Sequence, residues 1–356
     1  MRDVVGIGML GSGFIGEFHT HGLRHVPAAR LVATYGRSPE RRRALAERFG
    51  YERAHDSVEA VCADPDVDLV IVSLPNHLHL EAVRAAVREG KAVACTKPLG
   101  RNGQEAAEML RLVGEAGLWN GYLENVVFNA EIMRMREMVE SGAVGRPVTF
   151  RAREGHSGPH AAHFWDADLA GGGALLDMAS HGVEAARYVF GKEHRIRDAF
   201  AWGATLVHGD RTTGEDNAVM LVRFEDGRAA TMDVSWSSKG GLEGRFELAG
   251  TGGRIISDMA STVLRAFIEQ PAGYLGEKAD ADTGWVYPVP NETYAHGHDE
   301  MMGHMVGAFA AGRPPRETFR DGYVVNAVLD AAYRSMRSGS WESVVDVPAS
   351  HPAVPA

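Results

Sequence analysis

Gly11-Ser12-Gly13-Phe14-Ile15-Gly16, entered from an apolar run over residues 4–10, decides the fold. In such a turn the first glycine makes the tight bend and the second lets a pyrophosphate approach the backbone. The third lets the following helix pack against the strand with its positive end aimed at the phosphates. The context separates this turn from an ordinary glycine-rich connection, because residues 17–25 suit a helix that stops before Pro27. Gly11, Ser12, Gly13, Phe14, Ile15 and Gly16 are therefore read as dinucleotide-binding.

An acidic residue ordinarily closes this fingerprint at the end of the second strand, gripping the adenosine ribose. Here the strand over residues 31–35 is followed by Gly36, Arg37 and Ser38, with Arg42 close behind and no acid. A guanidinium matches a phosphate bidentately, so the 2′-phosphate of NADP is its natural partner. Arg37 stacked on the adenine would admit either cofactor. The reading is NAD(P), with NADP favoured over NAD.

Working outward, strand and helix alternate regularly to about residue 122, with further strands near 53, 68–73, 92–95 and 118–122. That pattern means an N-terminal Rossmann doubly wound parallel sheet, assigned to residues 1–124. Beyond it come a helix over 131–141, a strand over 147–153 and a helix over 174–190. Alternating runs then cover 196–207, 218–224, 228–235 and 245–249, before a last helix at 322–337. Residues 125–356 therefore form a C-terminal α/β domain with a large open, mostly antiparallel sheet. The open face of that sheet wants a cover, which predicts a subunit interface. The Pro- and Ala-rich stretch from Pro348 to Ala356 is expected to fray.

A length of 356 residues fits two domains better than one. A net charge of −10 argues against nucleic acid and anionic membranes as partners. Two cysteines in apolar surroundings, Cys62 and Cys95, point to a reducing compartment. No signal peptide or bilayer-length apolar run is legible, so a cytoplasmic location is expected.

In an open parallel sheet, ligands bind beyond the C-terminal strand ends. Leu74, Pro75, Asn76 and His79 follow the fourth strand, Thr96, Lys97 and Pro98 the fifth, and Asn125 the sixth. Leu74, Pro75, Asn76, His79, Thr96, Lys97 and Asn125 are read as cofactor contacts. An equally available reading makes Asn76 a helix N-cap. Lys97, a charge at the mouth of an apolar strand, is also read as catalytic and substrate-binding. Gly171-Gly172-Gly173 opens a helix on which Asp177 and His181 share a face at i, i+4. His181 is the candidate general base, and Asp177 can hold a substrate hydroxyl or stabilise the imidazolium. The preceding loop adds His156, His160, Trp165 and Asp166 as substrate-side groups, with Trp165 offering a flat apolar face to a sugar ring. His298 is a further substrate-side candidate. His156, His160, His163 and His181 match no standard metal spacing, and no metal is expected.

Taken together, the Gly11–Gly16 turn, Leu74-Pro75-Asn76-His77-Leu78-His79, the run from Lys91 to Leu99 and the run from Gly171 to His181 resemble the glucose–fructose oxidoreductase/inositol dehydrogenase family (Gfo/Idh/MocA). The resemblance covers nearly the whole chain in the right order. It implies an NAD(P)-dependent dehydrogenase or reductase acting on a sugar, a cyclitol or a sugar derivative, often dimeric or tetrameric. The family's Glu-Lys-Pro corresponds to Thr96-Lys97-Pro98, which keeps the lysine and lacks the acid. Its Asp-x-x-x-His corresponds to Asp177 and His181. A redox-assisted glycosidase using the cofactor transiently is the rival within the family, and a non-catalytic cofactor-bound sensor is the rival outside enzymology.

Overall fold

The apolar runs of the first third assemble side by side in a computed structural model that describes residues 3–258, 266–269, 283–286 and 292–345. The stretch from Pro348 to Ala356 lies outside the described residues. The elements are β1 (Val5–Leu10), α1 (Phe14–Leu23), β2 (Ala29–Tyr35), α2 (Pro39–Phe49), β3 (Arg53–His55), α3 (Val58–Ala63), β4 (Leu69–Val72), α4 (His79–Arg88), β5 (Ala92–Thr96), α5 (Gly103–Glu115) and β6 (Asn120–Leu123). The six strands run parallel in the order β3-β2-β1-β4-β5-β6. Every residue of β1, β4, β5 and β6 is buried, which is why these strands read as continuous rather than alternating apolar runs. The chain's direction across the sheet reverses between β1 and β4, the switch point at which such sheets bind ligands. α1 starts three residues earlier than residue 17, because Gly13 itself serves as its N-cap.

The second half supplies α6 (Ala130–Glu140), β7 (Pro147–Gly155), α7 (Ala167–Ala170), α8 (Ala174–Phe190), β8 (Ile196–Ala204), β9 (Asn217–Phe224), β10 (Ala229–Ser235), β11 (Glu243–Gly250) and β12 (Gly253–Asp258). β13 (Ala266–Ile268) and β14 (Gly284–Val286) pair as a separate ribbon. α9 (Glu292–Ala295), α10 (His298–Ala310), α11 (Phe319–Ser338) and β15 (Glu342–Ser343) complete the chain. The large sheet has the order β12-β11-β7-β10-β9-β8-β15 and is antiparallel throughout except where β10 meets β7. Its edge strands β12 and β15 were not legible, since β12 is mostly exposed and β15 is very short. α8 covers one face of this sheet, packing on β7, β9 and β10. On the other face Phe200, Trp202 and Val219 stand exposed.

Contacts divide the described residues into two units, one of 3–125 and Gly297–Asn326, the other of Val126–His296 and Ala327–Val345. The boundary near 124 thus needs an amendment, because Gly297–Asn326 joins the first unit. Burial explains its return. Met301, Met302, Met305 and Val306 of α10 are fully buried, and α10 packs on α1. The segment after α10 also satisfies polar groups along β6. Trp119 Nε1 donates to the Arg313 carbonyl (2.8 Å), the Tyr122 amide to the Glu317 carbonyl (3.0 Å) and the Phe319 amide to Asn120 Oδ1 (2.9 Å). Among the described residues, no helix is long and apolar enough to cross a membrane.

Two of the three glycines before α8 have a steric cause, and Gly171 holds φ +97°. A Cβ on Gly172 would lie 2.0 Å from the Tyr333 hydroxyl, and one on Gly173 would lie 2.1 Å from the Glu215 carbonyl oxygen. Gly173→Ala should therefore force the start of α8 away from its support and lower the unfolding free energy by about 1–3 kcal/mol, measurable by urea titration.

Candidate active site

The first unit presents a phosphate cradle. Gly11 holds φ +128°, and a Cβ there would strike the Ser73 carbonyl oxygen at 2.2 Å; one on Gly16 would strike the Gly11 carbonyl at 2.1 Å. These contacts seat the turn against the ends of β1 and β4. Gly13 is the opposite case: it is exposed, has nothing within 4 Å of its missing Cβ, and caps α1 with no side-chain hydrogen bond. Gly13 thus leaves room for an anion over the first turn of α1, as a pyrophosphate requires. Phe14 is exposed beside them, while Ser12 and Ile15 are half-buried.

Around that cradle the structure places the other expected contacts at strand ends. Gly36 is buried against Ser12, whose Oγ lies 1.9 Å from where a Cβ would be, and Arg37 is exposed at the end of β2. Arg42 Nη1 donates to the Gly36 carbonyl at 3.3 Å, and Ser38 caps α2 by accepting from the Arg41 amide. Leu74, Asn76 and Thr96 are buried, whereas Pro75, Lys97 and Asn125 are half-buried. His79 takes a different part from the direct contact expected of it. Its ring is wholly enclosed, with Nε2 2.8 Å from the Leu74 carbonyl and Nδ1 3.1 Å from those of Pro98 and Leu99. It braces the loop after β4 against the loop after β5. His19 and Ser73 form a second brace that sequence reading missed: Nδ1 and Oγ are 2.7 Å apart, tying α1 to the end of β4.

The second unit holds the candidate acid–base residues. Asp177 and His181 are both buried on α8. Trp236, fully buried just after β10, donates its indole N–H to Asp177 Oδ2 at 3.0 Å. His156, buried at the end of β7, places Nε2 3.9 Å from the same oxygen. Its Nδ1 accepts the Gly158 amide at 3.0 Å, so the neutral ring carries its proton on Nε2, facing the carboxylate. Glu215, immediately before β9, accepts at Oε1 from the amides of Gly173 (3.1 Å) and Leu175 (2.9 Å) and from the Tyr333 hydroxyl (2.9 Å). Burial pushes the Glu215 carboxyl above its ordinary range, against the pull of those donors. Burial opposes ionisation of Asp216 as well, but the amides of Leu206, His208 and Val207 outweigh it and hold that carboxyl below the ordinary range.

Two substrate-side expectations are amended. Asp166 is exposed and spends its side chain capping α7, accepting from the amides of Asp168 and Leu169. Trp165 does not offer an open face, because the Arg211 guanidinium lies 3.7 Å from its ring centre while Trp236 and His208 flank it. His298 belongs to the cofactor-binding unit, where its ring packs on Phe18 and His19. His160 is exposed in the loop after β7. Trp236 and Glu215 carried no sequence signal, since neither lies in a motif and each acts through a contact distant in the chain.

The comparisons with known proteins agree with this geometry. Residues 5–122 match the model of an oxidoreductase family with an NAD-binding Rossmann fold, and residues 132–256 match the GFO/IDH/MocA C-terminal domain. The chain is 29% identical to the myo-inositol 2-dehydrogenase of Thermotoga maritima, covering 95% of this chain and 99% of that one. Among solved structures it is similar to GenD2 from gentamicin A biosynthesis in complex with NAD, at 28% identity, 97% coverage of both chains and a TM-score of 0.90. It is also similar to a levoglucosan dehydrogenase in complex with NADH and levoglucosan, at 26% identity and a TM-score of 0.80, covering 96% of this chain and 99% of that one.

The buried braces carry a pH signature. Burial pushes the His19 imidazole down to about 3 and also lowers His79. Below about pH 6.5 the unfolded chain binds a proton that the folded His19 refuses, so stability must fall as pH drops. His19 alone should cost about 1.4 kcal/mol per pH unit between about 6.5 and 3. Urea midpoints measured across that range should show the decline, and His19→Asn should flatten it.

Proposed function

The chain belongs to the GFO/IDH/MocA oxidoreductase family, and on that premise we propose that it oxidises a secondary alcohol of a sugar, cyclitol or sugar derivative, or reduces the matching ketone, with NAD(P). One pairing carries the reading: a bare, uncapped glycine N-cap at the switch point of a parallel sheet, and a buried Asp177–His181 pair elsewhere in the same chain. The names of the inositol and levoglucosan dehydrogenases among its relatives support the substrate class.

Gly11 to Gly16 would hold the pyrophosphate, while Gly36, Arg37 and Ser38 would receive the adenosine end. Leu74, Pro75, Asn76, Thr96 and Asn125 line the strand ends that would receive the nicotinamide end. When bound, the nicotinamide supplies hydride acceptance or donation at the substrate carbon. Lys97 donates a charged hydrogen bond to the substrate oxygen, Asp177 accepts from a substrate hydroxyl, and His181 removes the hydroxyl proton. In the reducing direction His181 returns that proton. The missing acid after β2 and the exposed Arg37 favour NADP, although the similar GenD2 and levoglucosan dehydrogenase structures carry NAD and NADH. The exposed Phe200, Trp202 and Val219 support a homodimer or homotetramer through the large sheet, and a cytoplasmic setting suits the nicotinamide pool this chemistry draws on.

A second reading has an observation of its own. His156, its proton facing Asp177, is a second acid–base group of the kind a redox-assisted glycosidase needs to move a carbon-bound proton. Sugar released from a glycoside without accumulation of reduced cofactor would select that reading; absorbance at the reduced nicotinamide would select the dehydrogenase.

Two measurements test the main reading. His181→Asn should lower kcat by about 10²–10⁴-fold with cofactor affinity unchanged, and normal turnover would refute the assignment of the base. Titration with both cofactors should show NADP binding at least as tightly as NAD. Tight NAD binding with no NADP binding would overturn the role given to Arg37.

A further inference from the structure

The hydrogen bond from Trp236 to Asp177 is held from both sides by one dipeptide. The Glu215 carbonyl accepts the Ala174 amide at 2.8 Å, and its carboxylate takes the Gly173 and Leu175 amides, so Glu215 seats the first turn of the helix that carries Asp177. The next residue, Asp216, accepts the Trp236 amide on its carbonyl at 2.7 Å, which seats the donor. Acceptor and donor are thereby located by consecutive peptide units, with no flexible segment between them. A fully buried indole N–H needs a partner, and a buried carboxylate needs donors to remain ionised. The contact at 3.0 Å serves both requirements.

We propose that Trp236 is a positioning residue of the reaction: its indole N–H fixes the orientation of Asp177 and keeps it ionised, and the Glu215–Asp216 pair sets that bond. This inference rests on the role given to Asp177 above. A hydrogen bond to the charged form stabilises that form, so losing it must raise the proton affinity of Asp177. Of the titratable groups near this bond, His156 at the end of β7 lies beside the carboxylate, His181 shares α8 with it, and Glu215 and Asp216 seat the helix and the indole. None of these is altered by a change confined to the indole nitrogen.

The test is the pH profile of kcat/KM in Trp236→Phe and in protein carrying 3-benzothienylalanine at position 236, which replaces N–H by sulfur within a ring of nearly the same shape. The isostere guards against a fold defect, since Trp236 is among the largest fully buried side chains. In both, kcat should fall at least about tenfold near neutral pH, with cofactor affinity unchanged. The acid limb should move up by about one pH unit, so that the loss shrinks as pH rises. An acid limb that stays in place in the isostere, whether or not the rate falls, overturns the inference while leaving the proposed function intact. Full turnover in Asp177→Asn would overturn the function reading and this inference with it.

Discussion

A helix buried along nearly its whole length cannot send its first amides to water, and in α8 they are met by Glu215. Much of the second unit follows from that constraint. The helix must begin where a strand end can reach it, so Gly172 and Gly173 have no room for side chains. The carboxylate that caps it must itself be buried, and Tyr333 supplies a third donor to keep it satisfied. An anion at the positive end of a helix is favourable, which offsets part of the desolvation that burial imposes. Asp177 and His181 therefore sit on an element whose position is set by close contact and charge together.

The first unit solves the reverse problem. There the helix that matters, α1, is left without a side-chain cap, and Gly13 leaves open space over it. Everything around that opening is braced instead: Gly11 against Ser73, His19 to Ser73, and His79 to the carbonyls of Leu74, Pro98 and Leu99. Both imidazoles are wholly buried, and burial favours their neutral form. A preformed opening with rigid walls binds an anion without first having to order its own backbone.

Local patterns carried much of this into view from the residues alone. The continuous apolar runs of β1 and β4, the glycine turn and the i, i+4 spacing of Asp177 and His181 each depend on neighbours in the chain. The expected helix over residues 174–190 matches α8 (Ala174–Phe190). Other features depend on distant neighbours and left no trace. α10 buries Met301, Met302, Met305 and Val306 against an element far away in the chain, so its return to the first unit went unread. Asp166 looked like a ligand-binding acid but spends its Oδ1 on the next turn of its own chain. Trp165 looked like an open platform, yet Arg211, far along the chain, lies across it.

By itself, the sequence determined the parallel nucleotide-binding sheet, the class of cofactor and the family motifs Lys97, Asp177 and His181. These are written in periodicity and short spacings, which backbone geometry translates directly. Only the tertiary structure decided which side chains hold those motifs in place. Trp236 meets Asp177 at a sequence separation of 59, and Glu215 meets Gly173 at one of 42. Contacts of that range depend on how β9 and β10 pack beneath α8, and no local pattern in the chain encodes them.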